Sequence, residues 1–132
     1  MNKKFLKKII AHSSEDLKLI SACCSGGRVK TGNIKYLPKN KIFLLFIDRL
    51  IKEEENNKDR VSSIIKFEYI YSSKSKNINQ KNMDLTIELL AIDIFKKDHN
   101  YEIILLFSNN GFITLNAEII DVVLEDQKNT YD

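Results

Sequence analysis

Two stretches of the chain, residues 60–71 and 84–95, alternate apolar with polar side chains, and their apolar positions are rich in isoleucine, leucine and aromatic residues. A period of two puts successive side chains on opposite faces of an extended strand, and β-branched and aromatic residues suit a pleated surface. One buried and one wetted face marks an antiparallel sheet rather than a doubly wound parallel one. The pattern predicts a mainly β (α+β) fold, a single-domain antiparallel β barrel or sandwich with one short helix. A pleckstrin-like split barrel is one arrangement compatible with the strand count.

The period changes near the N-terminus. Leu17, Ile20 and Cys24 recur at three- and four-residue spacing, which is one face of a helix, and Ser13 stands where an N-cap belongs, with Glu15 and Asp16 in the first turn. Gly26-Gly27 supplies a helix stop, so a short helix is expected at about 14–24. Ile9-Ile10 opens a first strand ahead of it.

Beyond the helix, strands are expected at 28–31, 34–37 and 41–50, with turn signals at Gly32-Asn33 and Pro38-Lys39-Asn40 that should join antiparallel neighbours. The apolar-free stretch 53–59 reads as a mobile surface loop. One long strand is then expected from Arg60 to about Ser75, a polar connection at 77–82, a strand at 85–95 and a turn at 96–100. Strands at 101–107 and 112–115 flank Asn109-Asn110-Gly111, whose residues tolerate the positive φ of a tight hairpin. Residues 117–126 carry both periods; their β-branched density favours a strand, with a bulge near Ile119-Ile120.

Composition narrows the class. A chain of 132 residues makes one domain, 1–132, and should bury about two-thirds of its unfolded surface without disulfide staples. The 21 basic residues are interspersed with 18 acidic ones, so a net charge of +3 is a weak argument for a polyanion partner. No apolar run approaches the ~18 residues of a membrane span, and the basic start lacks the apolar segment of a signal peptide. The expectation is a cytoplasmic protein with no membrane span.

The chemistry is sparse. Cys23 and Cys24 are adjacent, with Cα atoms about 3.8 Å apart where a relaxed disulfide needs at least ~4.4 Å. His12 and His99 are isolated, so neither a metal set nor a convincing thiol–imidazole dyad forms, and Ser25-Gly26-Gly27-Arg28 is too short for a phosphate loop. Asp93, Glu118, Asp121, Glu125 and Asp126 read as solvated charge, with Asp126 placed at a strand end where it could cap backbone amides. No catalytic residue, cofactor or metal is expected.

The basic residues offer more. On a regular strand Lys66, Lys74 and Lys76 share a face, and Phe67, Tyr69 and Tyr71 share the other. Arg49 and Arg60 flank the acidic stretch and could either pair with Glu53, Glu54 and Glu55 or clamp a phosphate or carboxylate. The candidate binding residues are therefore Arg49, Arg60, Lys66, Lys74 and Lys76. Structure without reactive chemistry favours a non-enzymatic protein-binding or adaptor module, recognising its partner through a sheet face or edge. The alternative is a polyanion (RNA or anionic lipid) binder using Arg28, Lys30, Lys66, Lys74 and Lys76.

Blocks of residues along the chain resemble a known family: Asp16-Leu17, Ile20-Ser21-Ala22, Tyr36-Leu37-Pro38-Lys39, Leu89-Leu90-Ala91-Ile92 and Leu124-Glu125-Asp126, with Gly32, Phe43, Arg49, Arg60, Ser63, Phe67 and Ser75 between them. The pattern is similar to domain of unknown function family 2948, small alphaproteobacterial proteins, from about Lys7 to Asp126. The resemblance implies no activity, cofactor or substrate. The chain departs from the family pattern at 23–27 and at Thr114, so a role for those positions does not carry over.

Overall fold

The computed structural model describes residues 6–52 and 59–127. Among them, ten strands form one antiparallel sheet that coils around a shared apolar interior without closing. In chain order they are β1 (Lys8–Ala11), β2 (Arg28–Lys30), β3 (Ile34–Leu37), β4 (Ile42–Leu50), β5 (Arg60–Phe67), β6 (Ile70–Lys76), β7 (Thr86–Lys96), β8 (Tyr101–Phe107), β9 (Phe112–Ala117) and β10 (Val122–Asp126). Helix α1 (Ser14–Cys24) follows β1. The spatial order is β1-β10-β5-β4-β2-β7-β8-β9-β6, with β3 beside β4.

Strict alternation builds the interior. Along β4, Phe43, Leu45, Ile47 and Arg49 are buried while the residues between them are half-buried, and β8 and β9 repeat the pattern. Phe43 and Phe67 pack edge to face at 5.8 Å between centroids, a favoured aromatic geometry. Leu17, Ile20 and Cys24 seat α1 on the sheet, as their spacing predicts. The Ser13 hydroxyl accepts the amide of Asp16 at 3.1 Å and fixes the start of the helix.

Two expectations need correction. The long strand at 60–75 breaks at Glu68-Tyr69, where Tyr69 has φ +60°, and the two halves join different regions of the sheet: β5 lies between β10 and β4, β6 at the far edge beside β9. The corner resets the parity, so Phe67 is buried while Tyr69 and Tyr71 are exposed. The companion ribbon bends at the same place, with the amide of Glu118 donating to Tyr69 O and that of Glu68 to Asp121 O, both at 2.9 Å. A two-stranded ribbon turning a corner holds itself together there, which periodicity within a single strand cannot register.

Second, Gly32-Asn33 is not a hairpin. Thr31–Asn33 forms one 3-10 turn, and β2 and β3 both pair antiparallel with β4, so residues 28–37 run along one side of that strand with a kink between them. Gly32 is needed because a Cβ there would lie 2.9 Å from Met83 O, on the segment that crosses over this turn. Of the loop expected at 53–59, residues 53–58 lie outside the described residues, and with them any pairing of Arg49 or Arg60 with Glu53, Glu54 and Glu55.

Other turns follow their chemistry. Asn109 and Asn110 both have φ +61°, and the amide of Phe107 donates to Gly111 O at 2.8 Å. The Pro38-Lys39-Asn40 turn closes β3 onto β4. Residues 118–121 bend between β9 and β10, leaving Ile119 exposed and Ile120 buried, so the tail is extended with an irregularity where one is expected.

Candidate binding cleft

The two basic residues singled out beside the acidic stretch have structural duties. Arg49 is completely buried, and its Nε and Nη2 donate to the Asp126 carboxylate at 2.9 and 2.7 Å. The same carboxylate accepts the Ser63 hydroxyl at 2.7 Å and the Lys7 backbone amide at 2.9 Å. Three strands and the lead into β1 meet at this node: Arg49 comes from β4, Ser63 from β5 and Asp126 from β10. Asp126 does cap a backbone amide, and it neutralises a guanidinium as well. Arg49 therefore cannot serve as a surface clamp, because both side chains of the pair are 0% exposed.

Arg60 is a quarter exposed, donates from Nη2 to Asp48 O at 3.0 Å, and holds Nε 3.4 Å from the Asp48 carboxylate in a geometry that makes no hydrogen bond. Lys52 donates to Ala22 O and Ser25 O at 2.9 and 2.8 Å, covering carbonyls that α1 leaves open at its C-terminus. Cys24, beneath these groups, has its thiol pKa pushed up to about 12, first by burial, with Arg49 opposing the shift. A thiol so placed is protonated at neutral pH and is a poor nucleophile. His12 is exposed with Nε2 3.6 Å from Asp121. Among the described residues no three His, Cys, Asp or Glu side chains are grouped as metal ligands, and no helix is long and apolar enough to cross a membrane.

The remaining candidates are divided among strands. Lys66 on β5 lies 3.7 Å from Glu68, and Arg28 on β2 sits in register with Asp48 and Glu88, so these charges have acidic company. Lys74 and Lys76 are exposed on β6, an edge strand.

That edge borders the feature local patterning misses. Among the described residues β6 pairs with β9 alone and β3 with β4 alone, and side chains from both strands, together with the 78–83 segment, line a cleft of about 390 Å³. Ile34, Tyr36, Phe43, Ile78, Met83 and Ile113 supply its apolar surface, and Thr31, Ser73, Ser75 and Gln80 its polar groups. Both ends are pinned. At one end Tyr36 Oη donates to Ile70 O at 3.0 Å and the Ile70 amide to Lys41 O at 2.9 Å; at the other the amides of Thr31 and Gly32 donate to Leu85 O and Met83 O, and Thr31 Oγ1 to Asn82 O at 2.6 Å. At the first of these ends a tyrosine hydroxyl and a single backbone bond make the link, not a strand ladder.

The cleft was invisible to periodicity because 34–37 and 70–76 meet only through the corner at Glu68-Tyr69. The usable signal was the run of small polar residues in β6, where a half-buried Ser73 and an exposed Ser75 border the cleft in place of the large apolar groups that β8 and β9 bury.

No curated protein and no solved structure matches this chain. The model of one family, described as a protein of unknown function (DUF2948), matches residues 7–132, nearly the whole chain. On that coverage, the chain belongs to the DUF2948 family.

Proposed function

We infer that this is a non-enzymatic, cytoplasmic protein-binding module that takes an extended segment of its partner at the seam between β3 and β6. The observation that carries this reading is the pair of half-paired strands that line one apolar cleft. A strand edge carries unpaired amide and carbonyl groups, and natural proteins either protect such edges or use them to add a strand from another chain. The apolar floor between the edges gives side chains of an added segment somewhere to go, and a cleft of this size is within the range of specific binding sites, ~300–1,000 Å³. Two adjacent cysteines that are both free suit a reducing compartment. The buried, protonated Cys24 supports a non-catalytic role.

The test compares the wild-type chain with Ser73→Trp, which places an indole in the cleft from an edge strand, after circular dichroism has shown that the variant folds. Both are used as bait in native extract, with mass-spectrometric identification. A stoichiometric companion held by the wild type and lost from the variant is expected. A companion held equally by both, or none, overturns the reading.

A further inference from the structure

The outward side of the same seam names the chemistry of the segment. Lys35 on β3 is exposed between Ile34 and Tyr36, which line the cleft; Lys74 and Lys76 on β6 are exposed and alternate with Ser73 and Ser75, which also line it. By strand parity, a strand added between β3 and β6 points every second side chain into the cleft and the others outward, between Lys35 on one side and Lys74 and Lys76 on the other. None of these three lysines has an ion-pair partner among the described residues, whereas Lys41, Lys66 and Lys97 do.

We propose that the seam binds an extended acidic segment in which apolar residues alternate with Asp or Glu, the apolar ones facing Tyr36, Phe43 and Ile113 and the acidic ones facing Lys35, Lys74 and Lys76. This rests on the reading of the seam as a strand-addition site. Opposite charges directly across neighbouring strands stabilise a sheet and like charges oppose it. The same rule disfavours a second copy of this chain as the occupant, since pairing two β6 edges would set Lys74 and Lys76 against each other. Basic edges discourage self-association and favour an acidic strand through one and the same charge.

The experiment titrates isotope-labelled protein with three capped peptides of about seven residues: valine alternating with glutamate, with serine and with lysine. Amide shifts at 34–37 and 72–76 report the seam. The glutamate peptide is expected to perturb those amides, to bind at least about tenfold more tightly than the lysine peptide, a difference of about 1.4 kcal/mol, and to weaken as salt rises. The double variant K74E/K76E changes only exposed residues and should reverse that preference. If all three peptides bind the seam equally, and K74E/K76E changes nothing, the acidic specificity is overturned while strand addition stands. If no peptide moves the seam amides, strand addition itself fails. Self-association of the wild-type chain through β6, seen as a concentration-dependent dimer by sedimentation, would overturn the assignment of the occupant.

Discussion

Asp126→Ala removes the acceptor on which four groups converge: Arg49 Nε and Nη2, the Ser63 hydroxyl and the Lys7 amide. The guanidinium would remain in a site with no solvent exposure, having lost the carboxylate that accepts from both its Nε and its Nη2. Breaking one side of a buried pair costs about 3–5 kcal/mol, because the surviving charge is left desolvated. A chain of this length has a total stability of roughly 7–20 kcal/mol, at 0.05–0.15 kcal/mol per residue, so the variant should lose a large share of it. Arg49→Met should be comparably damaging, since the carboxylate then keeps only the Ser63 and Lys7 donors named above. The pair replaced together by Arg49→Met and Asp126→Leu should recover at least about 2 kcal/mol relative to Asp126→Ala, because apolar side chains of similar volume need no compensation. Urea unfolding followed by circular dichroism measures each stability, provided the slope with denaturant is unchanged across the set. A loss below about 1 kcal/mol in Asp126→Ala, or a double replacement no more stable than the single one, would refute the claim that this node operates as a desolvated unit.

Other consequences follow from single contacts. Gly27→Ala would place a Cβ 2.4 Å from Ile47 Cδ1 and 2.9 Å from Cys24 O, so it should cost about 1–3 kcal/mol by overpacking, read as a lower urea midpoint. Ser13→Ala deletes the acceptor for the Asp16 amide and should cost about 1 kcal/mol, read in the same way. Cys24 holds its proton more tightly folded than unfolded, from an ordinary 9.0 up to about 12, so the folded chain binds more protons between those values and its stability falls as pH rises through that window. The wild type should therefore lose about 1 kcal/mol per pH unit above pH 9 relative to Cys24→Ala; parallel pH profiles for the two would contradict the assignment. In native protein a thiol reagent should modify Cys23 well before Cys24, since Cys24 has no exposed surface, and mass spectrometry of digests reports the order.

What could be read from the sequence divides along the range of the interaction concerned. The helix was legible because its determinants sit within one turn of each other: Ser13 caps Asp16, and Leu17, Ile20 and Cys24 share a face. The Asn109-Asn110 hairpin was legible for the same reason, since positive φ at both residues is a local property. Gly32-Asn33 carries similar letters but lies where β4 templates both flanking strands, and a partner already in place turns a hairpin signal into a kink. The strand from Arg60 failed at Glu68-Tyr69 because the corner exists only with the parallel bend at 118–121 of the accompanying ribbon, fifty residues away in sequence.

The same division explains the candidate site. Arg49 looked available because its neighbours in sequence are acidic, but parity along β4 sends it inward with Phe43, Leu45 and Ile47, and an inward charge must find a buried counter-charge. Strand alternation alone therefore argued against Arg49 as a clamp, and Asp126, with a carboxylate at the buried end of β10, was the partner that alternation made available. Lys74 and Lys76 survive as surface residues on β6, where the bulge between Ile70 and Ser72 resets the phase after the corner and Ser73 and Ser75 alternate with them along the cleft. Small residues along the cleft and unpaired cations alternating with them weaken β6 as a closing strand. A sheet built only for stability would place large apolar groups at 73 and 75 and let β3 and β6 zip together; the observed sequence keeps them apart, which is the physical basis for treating the seam as a place where another chain completes the sheet.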